Sequence, residues 1–224
     1  MSMPQGYKVK RIALSRFHPW ERRVVTRDAP VRQTSTMTFD YRSSLLRRVR
    51  AVHSLYDEAC TTMDLEQVNR VADPRALPIA FSLVHQVLIE DGSVVFIGGP
   101  APLYNERWAA RLGLGVNDPG KEKSVEEMMH QRIGDYEAFL EFQRQVFAAT
   151  EAYIANVDPA TLGEIIVHSP YGPTIAQTFS ARVGGDAGIS RSDALECWIY
   201  QHALRHMGEI EHARALVGLT GMTS

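Results

Sequence analysis

Cysteine is scarce in this chain, with Cys60 and Cys197 the only two among 224 residues. Two isolated cysteines have neither the number nor the spacing of a thiolate metal site or a disulfide framework. They are read as reduced core residues of a reducing cytoplasm. Long hydrophobic runs are missing as well. No apolar stretch approaches the ~20 residues that cross a bilayer, and the opening MSMPQGYKVKR has no apolar segment of a secretory signal. The expectation is a cytoplasmic chain with no membrane partner. Low-complexity tracts and internal repeats are also lacking. What is present is a 45% hydrophobic fraction with 22% charged residues. That composition excludes a disordered chain and suits one domain with extensions better than two domains.

Acidic residues are the scarce sign in the first fifty positions, which hold 12 Lys+Arg against 3 Asp+Glu and so carry +9. The rest of the chain holds 12 against 23 and carries −11. A basic, acid-poor segment fits a transit peptide, a nucleic-acid arm or a partner surface. Here it contains strand-like runs, YKVKRIALSRF, ERRVVTRD and VRQTSTMTF. Packing against the acidic remainder is therefore preferred, and nucleic acid is not an expected partner. Residues 7–39 predict short strands or an irregular wrapping arm.

From Phe39 the pattern turns helical. Asp40 suits an N-cap, and Leu45, Val49, Val52, Tyr56, Ala59 and Met63 recur at helical spacing, predicting a first helix that ends near Met63. Asp73-Pro74 and Pro78 mark the start of a second. Its inner stripe is Phe81, His85, Leu88, Ile89 and Phe96, and Gly98-Gly99-Pro100 stops it. A long connection containing RWAARLGLG runs to about Lys123. The third helix is predicted from Ser124, with Glu127 completing a capping box, to Asp158-Pro159. Within 161–182, EIIVHSPYGPTIAQTFS reads as two short β runs around a Pro-Tyr-Gly-Pro turn. The fourth helix runs from Ser192 to about Leu216. The expected fold is all-α, a four-helix bundle at 40–218 with long crossover connections and a minor β hairpin. A basic extension at 1–39 precedes the bundle and a short tail at 219–224 follows it.

The fourth helix contains Gln201-His202-Ala203-Leu204-Arg205-His206. Histidines four apart lie one above the other on one helical face and can share one cation. At about 100° per residue, Leu195, Trp198, Ile199, Glu209, Ile210, Ala213, Leu216 and Val217 share that face, so both imidazoles and Glu209 are expected to point inward. His85, mid-stripe on the second helix, supplies a third nitrogen. Three histidines with an open fourth position make a catalytic metal site, and nitrogen donors suit zinc, nickel or iron. A metalloprotease motif is excluded, because Ala203 stands where that motif needs glutamate. His53 is read as a satisfied core histidine, while His18, His130, His168 and His212 are read as surface residues.

PRALPIAFSLVHQVLIEDG, the connecting RWAARLGLG and the downstream YQHALRHMGEIEHARALVGLTG together resemble the DinB/YfiT-like superfamily of metal-binding four-helix bundles. The resemblance covers about residues 40–218, and the His-x3-His followed by Gly208-Glu209-Ile210 is its most specific part. It implies His85, His202 and His206 as ligands, zinc or nickel as the metal, an up-down-down-up bundle and a homodimer. Apolar residues beyond a single stripe of the third helix, Met129, Leu140, Phe147 and Ile154, also suggest the dimer.

Members of that superfamily include enzymes using mycothiol, bacillithiol or glutathione. The expected function is therefore a metal-dependent transferase that activates a low-molecular-weight thiol for attack on an electrophilic small-molecule substrate. The alternatives are a hydrolase or isomerase that activates water, and a non-enzymatic metal- or ligand-binding protein. In the hydrolase reading, Glu209 or Tyr136 shuttles the proton. Glu209 also suits a role orienting one imidazole.

Overall fold

The computed structural model describes residues 40–120 and 123–222. The basic extension, and with it the expectation of strands or an arm at 7–39, lies outside the described residues. The fold is mostly helical with one small two-stranded sheet. Its elements in chain order begin with α1 (Tyr41–Thr61), α2 (Leu65–Asn69), α3 (Ile79–Phe96), α4 (Glu106–Leu112), α5 (Val125–Met128) and α6 (Tyr136–Asn156). They continue with β1 (Ile165–Val167), α7 (Pro173–Ala176), α8 (Phe179–Gly184), β2 (Ile189–Ser190), α9 (Arg191–Ala194) and α10 (Gln201–Leu216).

The sequence signals explain where the long helices start. The Asp40 carboxylate accepts the Arg42 N–H at the head of α1. Pro78 occupies the cap position of α3, where its missing N–H costs nothing. α3 packs against α6 and α10, and α1 packs against the same two helices. Tyr56, Leu83, Phe139, Phe142, Ala203 and Met207 fill the larger core cluster. Leu45, Val49, Ile97, Ile154, Leu195 and Ile199 belong to a second one. Although the sequence shows no obvious spanning run, α3 is long and apolar enough to cross a membrane by length and composition, with mean hydropathy 1.4. It is 67% buried within the protein. That burial, together with the polar side chains it carries into the interior, is the pattern of a core helix.

Four expectations need correction. First, the capping box at Ser124–Glu127 is present but opens only the four residues of α5. The chain from Gln131 to Asp135 is drawn into other pairings. Ile133 N–H donates to the Asn69 side chain, Gly134 N–H to the Leu112 carbonyl, and Gln131 bridges to both backbone groups of Val116. The long helix therefore restarts at α6 under a new cap, Asp135, whose side chain accepts from Ala138. Second, the β hairpin does not close around Pro170–Pro173. Pro173 sits at the start of α7, and β1 pairs antiparallel with the more distant β2. Third, the last long helix opens at Arg191 under a Ser190 cap, and its Leu195–Tyr200 stretch is π-helical. The i→i+5 closure of a π turn shifts the face presented. Trp198 accordingly reaches sideways, donating its indole N–H to Ser180 Oγ at 2.9 Å. Fourth, Phe96 is 80% exposed rather than part of an inner stripe. Leu140, Phe147 and Ile154 are buried by the chain's own helices, and Met129 is half-buried and precedes α6.

Candidate metal centre

The face of α10 that meets α3 carries His202 and His206, and the face of α3 opposite carries His85. Helical spacing places the first two one turn apart, with ring centroids 4.5 Å from each other. His85 lies 5.2 Å from His202 and 4.7 Å from His206, centroid to centroid. The three residues form the one group of metal-ligating side chains of this kind among the described residues, each offering an atom within 4.8 Å of the others. His202 Nε2 is 3.2 Å from His85 Nε2 and 3.2 Å from His206 Nε2. Two nitrogens each about 2.0–2.1 Å from a tetrahedral ion sit about 3.3 Å apart, so the spacing matches shared coordination.

The outer nitrogens show why these inner ones face each other. His85 Nδ1 donates to the Pro119 carbonyl oxygen, which can only accept. His206 Nδ1 donates to Glu209 Oε2 at 2.6 Å. The Arg205 guanidinium, which can only donate, lies 3.0 Å from His206 Nε2, so that nitrogen carries a lone pair. His202 Nδ1 meets Gln86 Oε1 at 2.6 Å. Each imidazole is thus held by Nδ1 and turns Nε2 inward. The lone pairs of His85 and His206 converge with His202 Nε2 on one point, where a cation would satisfy all three nitrogens, and unprotonated Nε2 is the form that binds metal. Burial pushes the pKa of His85 down to about 4 against the opposing pull of the Pro119 carbonyl, which keeps that ring neutral. Burial works against the charge of Glu209, but its contacts with His206 outweigh that and hold its carboxyl below the usual value.

The remaining sequence candidates sort clearly. Glu209 sits at the mouth of the site with a 47% exposed side chain, rather than pointing fully inward. Its Oε2 accepts from both His206 and Ser82. Tyr136 is not brought to the triad. Its hydroxyl donates to the Cys60 carbonyl at 3.0 Å and its ring stacks on Phe139. Burial raises its pKa further above the ordinary tyrosine value. His53 is a buried core histidine, while His130, His168 and His212 are exposed. Cys60 and Cys197 are free and buried. Sequence reasoning missed Ser82, Gln86, Pro119 and Arg205. Ser82 and Gln86 carried a signal: both interrupt an otherwise apolar helix next to a candidate ligand. Pro119 contributes through its backbone, which no side-chain pattern reveals.

No family model and no curated protein matches the chain. Among solved structures it is similar to one described as "the conserved protein of locus from Enterococcus faecalis". The two share 16% identity at a TM-score of 0.64, over 80% of this chain and 98% of that one. The likeness establishes a shared fold.

Proposed function

We propose that the chain is a four-helix bundle of up-down-down-up topology that holds one divalent metal on His85, His202 and His206 and uses it to activate a small thiol for transfer to an electrophile. The observation that carries this reading is the convergence of three Nε2 atoms, each ring held at Nδ1 by a separate partner. A divalent cation held there supplies a Lewis acid that lowers the pKa of a thiol and keeps it as the nucleophilic thiolate. Nitrogen donors suit zinc or nickel, and iron as well.

The chain's own residues do the rest. Pro119, Gln86 and Glu209 orient the three rings. Arg205 is exposed at the site's edge, and once His206 Nε2 is engaged elsewhere its guanidinium is available to an anionic group on the incoming thiol or its electrophile.

One observation favours a second reading, a hydrolase or isomerase that activates water. Glu209 uses a single oxygen for both His206 and Ser82, which leaves Oε1 at the mouth without a hydrogen-bond partner among the described residues. An uncommitted carboxylate oxygen beside the site suits a general base.

Cobalt-loaded protein separates the two readings. Mycothiol, bacillithiol, glutathione and coenzyme A are titrated in turn. Sulfur ligation gives an intense charge-transfer band with at least one of them if the transferase reading holds. Silence with every thiol, together with hydrolysis of simple esters or amides, replaces it with the hydrolase reading.

A further inference from the structure

α3 buries Gln86 and Glu90 completely, and a carboxamide and a carboxylate in a core helix need partners. Other polar residues of α3 have local explanations. Asp91 accepts the N–H groups of Leu103 and Tyr104, and Ser82 donates to Glu209. Gln86 and Glu90 belong instead to a line of polar contacts leading away from the triad. His202 Nδ1 meets Gln86 Oε1 at 2.6 Å, and Gln86 Nε2 donates to Glu90 Oε2 at 2.9 Å. Glu90 Oε1 then pairs with His53 Nε2 at 3.1 Å, an ion-pair contact off the alignment of a hydrogen bond. His53 Nδ1 lies 2.9 Å from Glu151 Oε1, and Arg50 Nε donates to Glu151 Oε2 at 2.9 Å. The line runs from α10 through α3 and α1 to α6 and ends at the exposed Arg50.

The donors along it have one consistent direction. Arg50 can only donate, so Glu151 accepts. His53 faces a carboxylate oxygen at both ring nitrogens, an arrangement that suits the doubly protonated ring. Glu90, ionised against that cation, can only accept, and it does so at Oε2. Its neighbour on Gln86 must then be the amide nitrogen, which turns the amide oxygen toward His202. His202 Nδ1 must donate to it, and the lone pair falls on Nε2.

This control matters at His202 more than at the other two ligands. A main-chain carbonyl and a carboxylate hold His85 and His206, and neither can reverse its role. A carboxamide can. If Gln86 turned over, it would present N–H to His202 Nδ1 and move the imidazole proton to Nε2, where it blocks the site.

We infer that Glu90 and His53 are positioning residues that orient the Gln86 amide and thereby fix His202 in the tautomer with Nε2 unprotonated. The inference deepens the metal reading and rests on it for its functional meaning. Its test does not require metal. In the metal-free full-length chain with 15N-labelled histidine, long-range proton–nitrogen correlations report each tautomer. Wild type is expected to show His202 protonated at Nδ1. In Glu90→Gln the new carboxamide can donate or accept, and His202 should show the Nε2-protonated tautomer in substantial population, while His85 stays protonated at Nδ1. A loss of roughly 10- to 100-fold in zinc affinity should accompany the change, as for other partners of metal-binding histidines. If Glu90→Gln does not fold, Gln86→Met, which leaves the Glu90–His53 pair intact, should release His202 in the same way. The inference is overturned if wild-type His202 carries its proton on Nε2. It is also overturned if His202 keeps the Nδ1 proton unchanged in whichever variant folds. Failure of the wild-type chain to take up zinc would overturn the metal reading, while the tautomer measurement would still decide this inference.

Discussion

Arg205 Nη2 lies 3.0 Å from His206 Nε2, the same nitrogen that approaches His202 Nε2 at 3.2 Å. The guanidinium stands in the place of a cation at one of three converging nitrogens. A metal must displace it. Arg205→Ala is therefore expected to raise zinc affinity by roughly 2- to 10-fold, the equivalent of a net hydrogen bond of ~0.5–1.5 kcal/mol. Isothermal titration with zinc measures it. Reduced affinity in the variant would mean that Arg205 supports the site rather than competing for it.

Substitution of the ligands should give a graded result. His202→Ala and His206→Ala are expected to abolish metal binding, and His85→Ala to weaken it severely. His130→Ala, His168→Ala and His212→Ala should leave it intact, since those side chains are exposed and none belongs to the group. Equilibrium dialysis against zinc distinguishes the two sets. Loss of binding in an exposed-histidine variant would place the site elsewhere.

The buried His53 makes a pH prediction for stability. Burial opposes its charge, but Glu90 on α3 and Glu151 on α6 outweigh burial and raise its pKa above the ordinary 6.5. Arg50 on α1 is the other charged group on this line, paired with Glu151. A histidine raised in the folded state contributes stability that is complete below 6.5 and is lost as pH climbs through the raised value. The Tm difference between wild type and His53→Gln should be largest in mildly acidic buffer and should narrow with rising pH. A gap that widens with pH contradicts the ion-pair assignment.

The break between α5 and α6 can be tested at Gly134. A Cβ built there falls 2.8 Å from the Gly113 carbonyl oxygen, a backbone atom with no side-chain freedom to yield. Gly134→Ala should cost about 1–3 kcal/mol, or roughly 2–4 °C of Tm for each kcal/mol. Thermal unfolding followed by circular dichroism reads this directly. An unchanged Tm would show that the crossing of these two segments is looser than described.

Much of this was legible in the residues because it depends on periodicity and local chemistry. Asp40 and Pro78 start helices through their own side chain or ring, and His202 and His206 share a face because they are four apart. The rest depends on partners distant in sequence. Ser124 and Glu127 form their capping box as read, yet nothing local says that Gln131 and Ile133 will be claimed by Val116 and Asn69. The π-helical turn before His202 is equally silent, since a stripe drawn at about 100° per residue assumes regular α geometry throughout. In α10, beyond the π turn, Ala203 and Met207 lie outside that stripe and are buried because the helix buries a wider face, whereas Leu216, inside it at the helix end, is 42% exposed. The sequence offers Tyr136 as a proton shuttle beside Glu209. In three dimensions its hydroxyl belongs to Cys60.

The central claim is the metal, and elemental analysis of full-length protein purified without chelator tests it most directly. The account predicts about one tightly held divalent ion per chain, as expected for a three-histidine site. It is contradicted if no stoichiometric metal is found and added zinc or nickel neither binds nor raises the Tm.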